Sequence, residues 1–241
     1  RKKVRYCGRI VSAQGYKMDP KDIAAIQTLK EMIPLTVREV RKLVGFFSYY
    51  RGFIKDFSQL AKPLYDLLSN PKTPTPKNQP LEWKEIHQEA LQRLIHALSN
   101  LPVMAYPDFQ KPFTLHTDAS NDGLGAVLYQ PQEKKLRVIA YGSRTLTPAE
   151  KNYHLHSGKL EFLALKLAIA ERFRDNLFYA PSFTVYSDNN PLTYVMTSAK
   201  LNATGHQWVS ELSDFNFTIK YHPGKVNIDA DFLSRESLNT E

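Results

Sequence analysis

The chain has 241 residues, 42% of them hydrophobic, and carries a formal net charge of +8 at pH 7. That is enough apolar material for one large domain or two small ones, and the lack of any eighteen-residue apolar run excludes a membrane-spanning helix. The single cysteine, Cys7, excludes an internal disulfide or a zinc site built on several thiolates and points to a reducing, intracellular setting, cytoplasmic or nuclear. The opening residues RKKVRYCGRI have neither a starting Met nor the apolar stretch of a signal peptide, and read as a piece cut from a longer polypeptide. The charge is unevenly spread: up to Lys111 the net is +9, and from Pro112 onward it is −1. A basic half joined to a near-neutral half suggests a grip on a polyanion beside a site of other chemistry.

In chain order, VRYCGRIVS predicts a strand, Gln14-Gly15 a turn, and Asp19-Pro20 the start of a short helix. Thr36, with Glu39 three positions on, predicts a capping box opening the next helix. Along that helix Val37, Val40, Val44, Phe47 and Tyr50 recur at helical spacing, and Phe53, Ile54 and Phe57 prolong the apolar face. Arg38, Arg41, Lys42 and Arg51 fall mostly off the stripe and are candidates for phosphate contacts. PKTPTPKNQP, residues 71–80, has four prolines in ten positions and reads as a linker or exposed loop. Trp83 opens an amphipathic helix with Ile86, Ala90, Leu94 and Ile95 on one side.

The pattern changes after Pro107. Strand-like runs at 113–118, 124–130 and 136–143, separated by polar turns, predict an antiparallel meander. A helix from Ser157 to about Asp175, a strand at 183–189, a helix around Gln207 to Leu212, a strand at 217–224 and a last helix near Asn227 complete a β-β-β-α-β-α-β-α order. The predicted fold class is therefore α/β, a five-stranded mixed sheet with flanking helices, preceded by a mostly helical segment.

Four acids stand where acids are awkward. Asp118 ends the first strand of the meander, in FTLHTDASNDGLGAVLYQ, and Asp188 ends the fourth, after FTVY. Glu161 lies in LEFLAL, on a helix whose apolar stripes at 160, 163, 167 and 162, 165, 169 leave little polar face. Asp231 lies in NIDADFLSR, with Asp229 close by. A carboxylate pressed among apolar groups costs several kcal/mol unless a cation, a donor or a proton offsets it. Each acid alone also suits an ordinary place, in a turn, at the positive end of a helix dipole, or on the surface. If strands one and four are parallel neighbours, however, their carboxyl ends bring Asp118 and Asp188 side by side, at the sheet edge where α/β folds place functional crevices. A helix on that sheet brings Glu161 to the same edge, and such a cluster calls for bound metal.

These residues resemble a known family. TDAS (117–120), KLEFLAL (159–165), YSDNNPL (186–192) and YHPGKVNIDADFLSR (221–235) are similar to motifs of the ribonuclease H domains in reverse transcriptases of gypsy-type LTR retrotransposons. VREVRKLVGFFSYYRGFIKDFS resembles the thumb-region helix of those proteins, and LEWKEIHQEAL and LPVMAYPDFQKPF resemble the stretch leading into the nuclease. The resemblance covers essentially the whole chain. It implies a palm remnant at 1–30, a helical thumb segment at 31–70, a Pro-rich linker at 71–80, a connecting helix and lead-in at 81–112, and a ribonuclease H-like domain at 113–241. It also implies that Asp118, Glu161, Asp188 and Asp231 hold two Mg²⁺ ions, which Mn²⁺ replaces, and that the substrate is the RNA strand of an RNA/DNA hybrid. The upstream polymerase portion of the same polyprotein is the implied partner. Asp229 stays open as the fourth acid, and His222 in HPGK is not assigned a proton-shuttling role. His154 and His156, without Cys partners, read as structural or substrate-facing.

No Asp-Asp pair occurs in these residues, so the paired aspartates of a polymerase palm are missing and no polymerase activity is expected. Two rival readings are a host-adopted, non-catalytic module that keeps the fold, and a ribonuclease H-like core serving another metal-dependent phosphoryl transfer.

Overall fold

The computed structural model describes residues 3–68, 80–133, 135–152, 157–188, 190–196 and 201–222. The chain begins with a hairpin where one strand was predicted. β1 (Lys3–Tyr6) and β2 (Arg9–Ser12) pair antiparallel across Cys7-Gly8. Both turn residues have positive φ, +46° and +71°, the conformation of a two-residue turn that suits strand twist, and a pattern of alternating side chains does not reveal it. β3 (Gly15–Met18) adds to β2. Asp19 then caps α1 (Pro20–Gln27), accepting from the Lys21 N–H at 2.9 Å.

The predicted capping box is present on α2 (Val37–Tyr49). The Thr36 hydroxyl accepts from the Glu39 N–H at 3.4 Å, and the Glu39 carboxylate accepts from the Thr36 and Leu35 N–H groups at 3.1 and 2.8 Å. These bonds hold the Glu39 carboxyl below its usual range. Thr36→Ala should cost about 1 kcal/mol of stability, read as a lower urea midpoint at unchanged slope. Val37, Val40, Val44, Phe47, Tyr50, Phe53, Ile54 and Phe57 are all buried, as their spacing implied.

α3 (Phe57–Asp66) and α4 (Glu85–Ser99) complete the N-terminal region. On α4 the buried side chains are His87, Ala90, Leu91, Leu94, Ile95 and Leu98, whereas Ile86, expected on that face, is 57% exposed. In the first turn it is His87, packed 5.5 Å from the Trp83 ring, that takes the inward place.

The second half forms a mixed sheet in the order β6-β5-β4-β7-β8. β4 (Phe113–Ala119), β5 (Gly123–Gln132) and β6 (Lys135–Thr145) are the antiparallel meander, and β7 (Phe183–Ser187) and β8 (Phe217–Tyr221) pair parallel to β4 and to each other. Short α5 (Pro148–Asn152) comes after the meander. The helix expected to run to Asp175 is broken: α6 (Ser157–Lys166) passes into a π-helical turn at Leu167–Arg172, and α7 (Arg174–Leu177) restarts after Phe173, whose N–H donates to the Ala168 carbonyl five residues back at 2.9 Å. α8 (Ala203–Leu212) precedes β8.

Both faces of the sheet are covered. On one, Phe113, Leu115, Ala126 and Leu128 pack with Phe162, Leu165, Ala168 and Ile169 of the α6 region. On the other, Val127, Tyr129 and Val138 join the core formed by α2, α3 and α4. Hence β5 is buried along eight successive residues, as strands covered on both sides are.

Candidate active site

The parallel pairing of β4 and β7 runs in register from Phe113↔Phe183 to His116↔Tyr186. Two residues further on stand Asp118, still within β4, and Asp188, the first residue after β7. Equal steps along parallel neighbours put their side chains on one face, with the strands about 4.8 Å apart. The rings one pleat earlier mark that row: His116 and Tyr186 lie 5.1 Å apart, and Tyr186 meets the His222 ring at 5.9 Å. His222 thus packs beside Tyr186, with its backbone N–H donating to the Ser187 carbonyl at 2.9 Å.

The turn after Asp118 is closed by a side chain as much as by glycine. The Ser120 hydroxyl accepts from the Asp122 and Gly123 N–H groups at 3.3 and 3.2 Å, and the Ser120 N–H donates to the Gly123 carbonyl at 2.9 Å. The glycines are needed for close approach. A Cβ on Gly123 would stand 2.8 Å from the Arg144 carbonyl, and one on Gly125, opposite Asp118, would stand 2.8 Å from Oδ1 of Asp56.

Glu161 comes from the first turns of α6, between Leu160, Phe162, Leu163 and Leu165, and is only 4% exposed. Its Oε2 has no hydrogen-bond partner. Burial, then the charges of Asp188 and Asp118, push its carboxyl up to about 8, against a smaller lowering by the Ala119 N–H. Asp118 is solvent-exposed as a residue, yet the protein around it withdraws water from its carboxyl. That desolvation and the Asp188 charge raise it, opposed by the Ala119 N–H and the Lys55 ammonium.

Three of the four predicted acids, from β4, α6 and the end of β7, therefore lie near enough for the charges of Asp118 and Asp188 to act on Glu161 and that of Asp188 on Asp118. As the side chains stand, no group of three or more His, Cys, Asp or Glu among the described residues could hold a metal ion. The donor set still suits a hard divalent cation: it is all oxygen, and the orphaned Glu161 Oε2 lacks the partner a cation would supply. Asp231, its neighbour Asp229, and His154 and His156 lie outside the described residues.

The predicted phosphate-contacting residues divide. Arg38, Arg41 and Lys42 are exposed on α2. Arg51 instead turns to the sheet, donating to the Ser143 carbonyl at 3.0 Å with its guanidinium 5.6 Å from the Phe57 ring. Sequence reasoning missed the residues just beyond Arg51. Lys55 and Asp56, the latter in a left-handed conformation at φ +53°, enter α3 beside the acid-bearing strand ends, and Gln59 donates to the Ser120 hydroxyl at 3.4 Å. Asp56 before an apolar helix carried a capping signal, but nothing in the sequence told that it abuts Gly125.

The family described as the RNase H-like domain found in reverse transcriptase matches residues 108–215. This chain carries an RNase H-like domain of the reverse transcriptase kind. Around it, the whole chain is homologous to Pol polyproteins of gypsy-type retrotransposons. It is 39% identical over 241 residues to the retrovirus-related Pol polyprotein from transposon gypsy of Drosophila melanogaster, covering 98% of this chain and 22% of that protein. Against the transposon opus polyprotein of the same organism the identity is 37%, covering 96% and 23%. The transposon Tf2-3 polyprotein of Schizosaccharomyces pombe is 31% identical, covering 99% and 17%. The chain thus spans about a fifth of the length of these relatives. Among solved structures, a foamy viral protease-reverse transcriptase in complex with RNA/DNA hybrid superposes with a TM-score of 0.74 at 23% identity, over 93% of this chain and 30% of that one. The same viral protein in complex with dsDNA gives 0.74 at 21%, over 93% and 45%. The RNase H-like fold and the helical region before it are shared with those chains. No helix among the described residues is long and apolar enough to cross a membrane.

Proposed function

We propose that the RNase H-like domain hydrolyses the RNA strand of RNA/DNA hybrids endonucleolytically, as the nuclease portion of a retrotransposon reverse transcriptase. The observation that carries the reading is Glu161, a carboxyl buried among apolar side chains with one orphaned oxygen, near enough to Asp118 and Asp188 for their charges to act on it. A fold gains nothing in stability from three converging carboxyls. Two Mg²⁺ ions, or Mn²⁺ in their place, would be held by Asp118, Glu161, Asp188 and Asp231. When bound they supply an activated water and charge stabilisation at the scissile phosphate and the leaving 3′ oxygen.

The chain's own part is to aim and dehydrate these acids. The β4–β7 pairing, in register as far as His116↔Tyr186, supports Asp118 and Asp188 as neighbours two residues on. α6 holds Glu161 where water is scarce, which favours the protonated form of its carboxyl and leaves an oxygen that a cation would pair. The Ala119 N–H steadies the carboxylate forms of both Asp118 and Glu161. Recognition of the hybrid is expected to rest on duplex shape and 2′-hydroxyl contacts, with Arg38, Arg41, Lys42 and Arg51 on backbone phosphates. The segments before residue 113 are read as the last strands of the palm, the thumb, a linker and a connecting helix, with the polymerase portion of the polyprotein as partner.

The test is incubation of the chain with end-labelled hybrid, single-stranded RNA and duplex DNA in Mg²⁺. The reading expects cuts in the RNA of the hybrid alone, leaving 3′ hydroxyl and 5′ phosphate ends, with no primer extension. Hybrid bound tightly but never cut would replace it with the non-catalytic module.

A further inference from the structure

A second charged feature stands on the same sheet edge as the acids. Between α3 and the end of β6 opens a cavity of about 730 Å³ lined by five cations, Arg51, Lys62, Arg144, Lys151 and Arg172, against one acid, Asp66. It is reached by moving sideways through the register: Asp118 pairs with Gly125, and Gly125 pairs with Ser143. Two strand spacings separate Asp118 from Ser143, about 10 Å, and Arg144 is the next residue.

These cations are gathered by specific devices. Arg51 is anchored on the Ser143 carbonyl at 3.0 Å. Arg144 is held bidentately by Glu150 at 2.8 and 2.9 Å. Arg172 ends the π-helical turn and is drawn against β6 because residue 142 is glycine: a Cβ there would meet the Arg172 Cβ at 3.3 Å and the Phe173 ring at 3.1 Å. Arg172 makes no hydrogen bond or ion pair with any described residue, while its neighbour Glu171 is engaged by Lys166 at 2.8 Å. Among the described residues Lys151 has only the exposed Asp122, at 3.9 Å. Partial desolvation and the nearby charges of Arg51 and Arg144 weaken the hold of the Arg172 guanidinium on its proton. Lys62 is already matched by Asp66 at 2.6 Å and Arg144 by Glu150, so it is Arg51, Lys151 and Arg172 whose like charges repel unless an anion lies among them.

We propose that this cleft is a binding subsite for a backbone phosphodiester of the RNA/DNA hybrid, placed a few nucleotide steps from the phosphate over Asp118 and Asp188. Only the identity of the duplex rests on the nuclease reading. The step count comes from the spacing, since one strand advances about 3.4 Å per phosphate along the duplex axis. Arginine forks suit phosphate oxygens, and a flexible lysine on α5 closes over a chain that passes. The subsite couples the N-terminal helices, through Arg51 and Lys62, to the register at which the acids meet the duplex.

The test uses the full chain and a fluorescent hybrid in EDTA, so that binding is measured without cutting. Arg172→Gln with Lys151→Gln should weaken binding about tenfold and lower the slope of log affinity against log salt by about 1 to 2, with the melting temperature unchanged. Arg172→Lys should keep most of the slope. An affinity within twofold of the parent and an unchanged slope would overturn the proposal. So would a variant that loses stabilisation by inorganic phosphate yet binds hybrid normally, which would mark a site for a free anion. Cleavage by the parent chain in Mg²⁺, run in parallel, separates the two ideas: hybrid held through the cleft but left uncut defeats the nuclease reading alone.

Discussion

Asp188→Asn should leave hybrid binding within a few-fold of the parent chain while cutting of the RNA strand falls by on the order of 10³, the several kcal/mol that metal-assisted charge stabilisation contributes to such a step. Asp118→Asn should do the same. The two substitutions keep shape and hydrogen-bonding capacity at strand ends whose positions are set by backbone pairing from Phe113↔Phe183 to His116↔Tyr186, so the fold has no reason to change. A double replacement should be scarcely worse than either single one, because both carboxyls serve one unit. Residual cutting above a hundredth of the parent rate in purified Asp188→Asn protein would show that the strand-end pair is not the site.

The second large effect is on stability, and it runs opposite to the usual behaviour of carboxylates. Burial and the charges of Asp188 and Asp118 push the Glu161 carboxyl up to about 8 in the folded chain, from an ordinary value of 4.5. Between those limits the folded chain holds a proton that the unfolded chain has released. Its stabilising contribution is complete below about pH 4.5 and is lost as pH rises through 8. The raised Asp118 carboxyl adds to the same trend. Without divalent cations the chain should therefore lose stability on the order of several kcal/mol from this region by pH 9, a fall of roughly 10 °C in melting temperature for a protein of this size. Glu161→Gln should flatten the profile and melt higher than the parent at alkaline pH. Mg²⁺ should raise the melting temperature of the parent more at pH 8 than at pH 6, since cation and proton compete for the same oxygens. Parallel profiles for parent and Glu161→Gln in EDTA would remove Glu161 from the account.

Much of this arrangement was legible in the sequence, for identifiable reasons. The meander and the later strands alternate with period two, and Asp118 and Asp188 each close such a run, so their pairing needed only the strand order. Glu161 betrayed itself by interrupting two apolar stripes. The capping box at Thr36 and Glu39 is a four-residue signal that depends on nothing distant. What escaped were features decided by contacts between remote segments or by a single backbone conformation. Cys7-Gly8 reads as strand until both residues take positive φ. The π-turn at Leu167–Arg172 interrupts a stripe that looks helical throughout. Ile86 has the spacing of a core residue but no neighbour to cover it. Arg144 and Arg172, far apart in sequence, share a cavity only because Gly142 lets the helix end close on the strand. The fourth acid, Asp231 or Asp229, and the histidines at 154 and 156 fall outside the described residues.

The burial of Val127, Tyr129 and Val138 against α2, α3 and α4 has a practical corollary. The region that defines the family, residues 108–215, is not a unit that the physics of folding would cut out. Expressed by itself it would present a greasy flank of β-strand to water, an invitation to clump. Modules that evolution reshuffles and modules that fold alone need not share a border, and here the second is the larger.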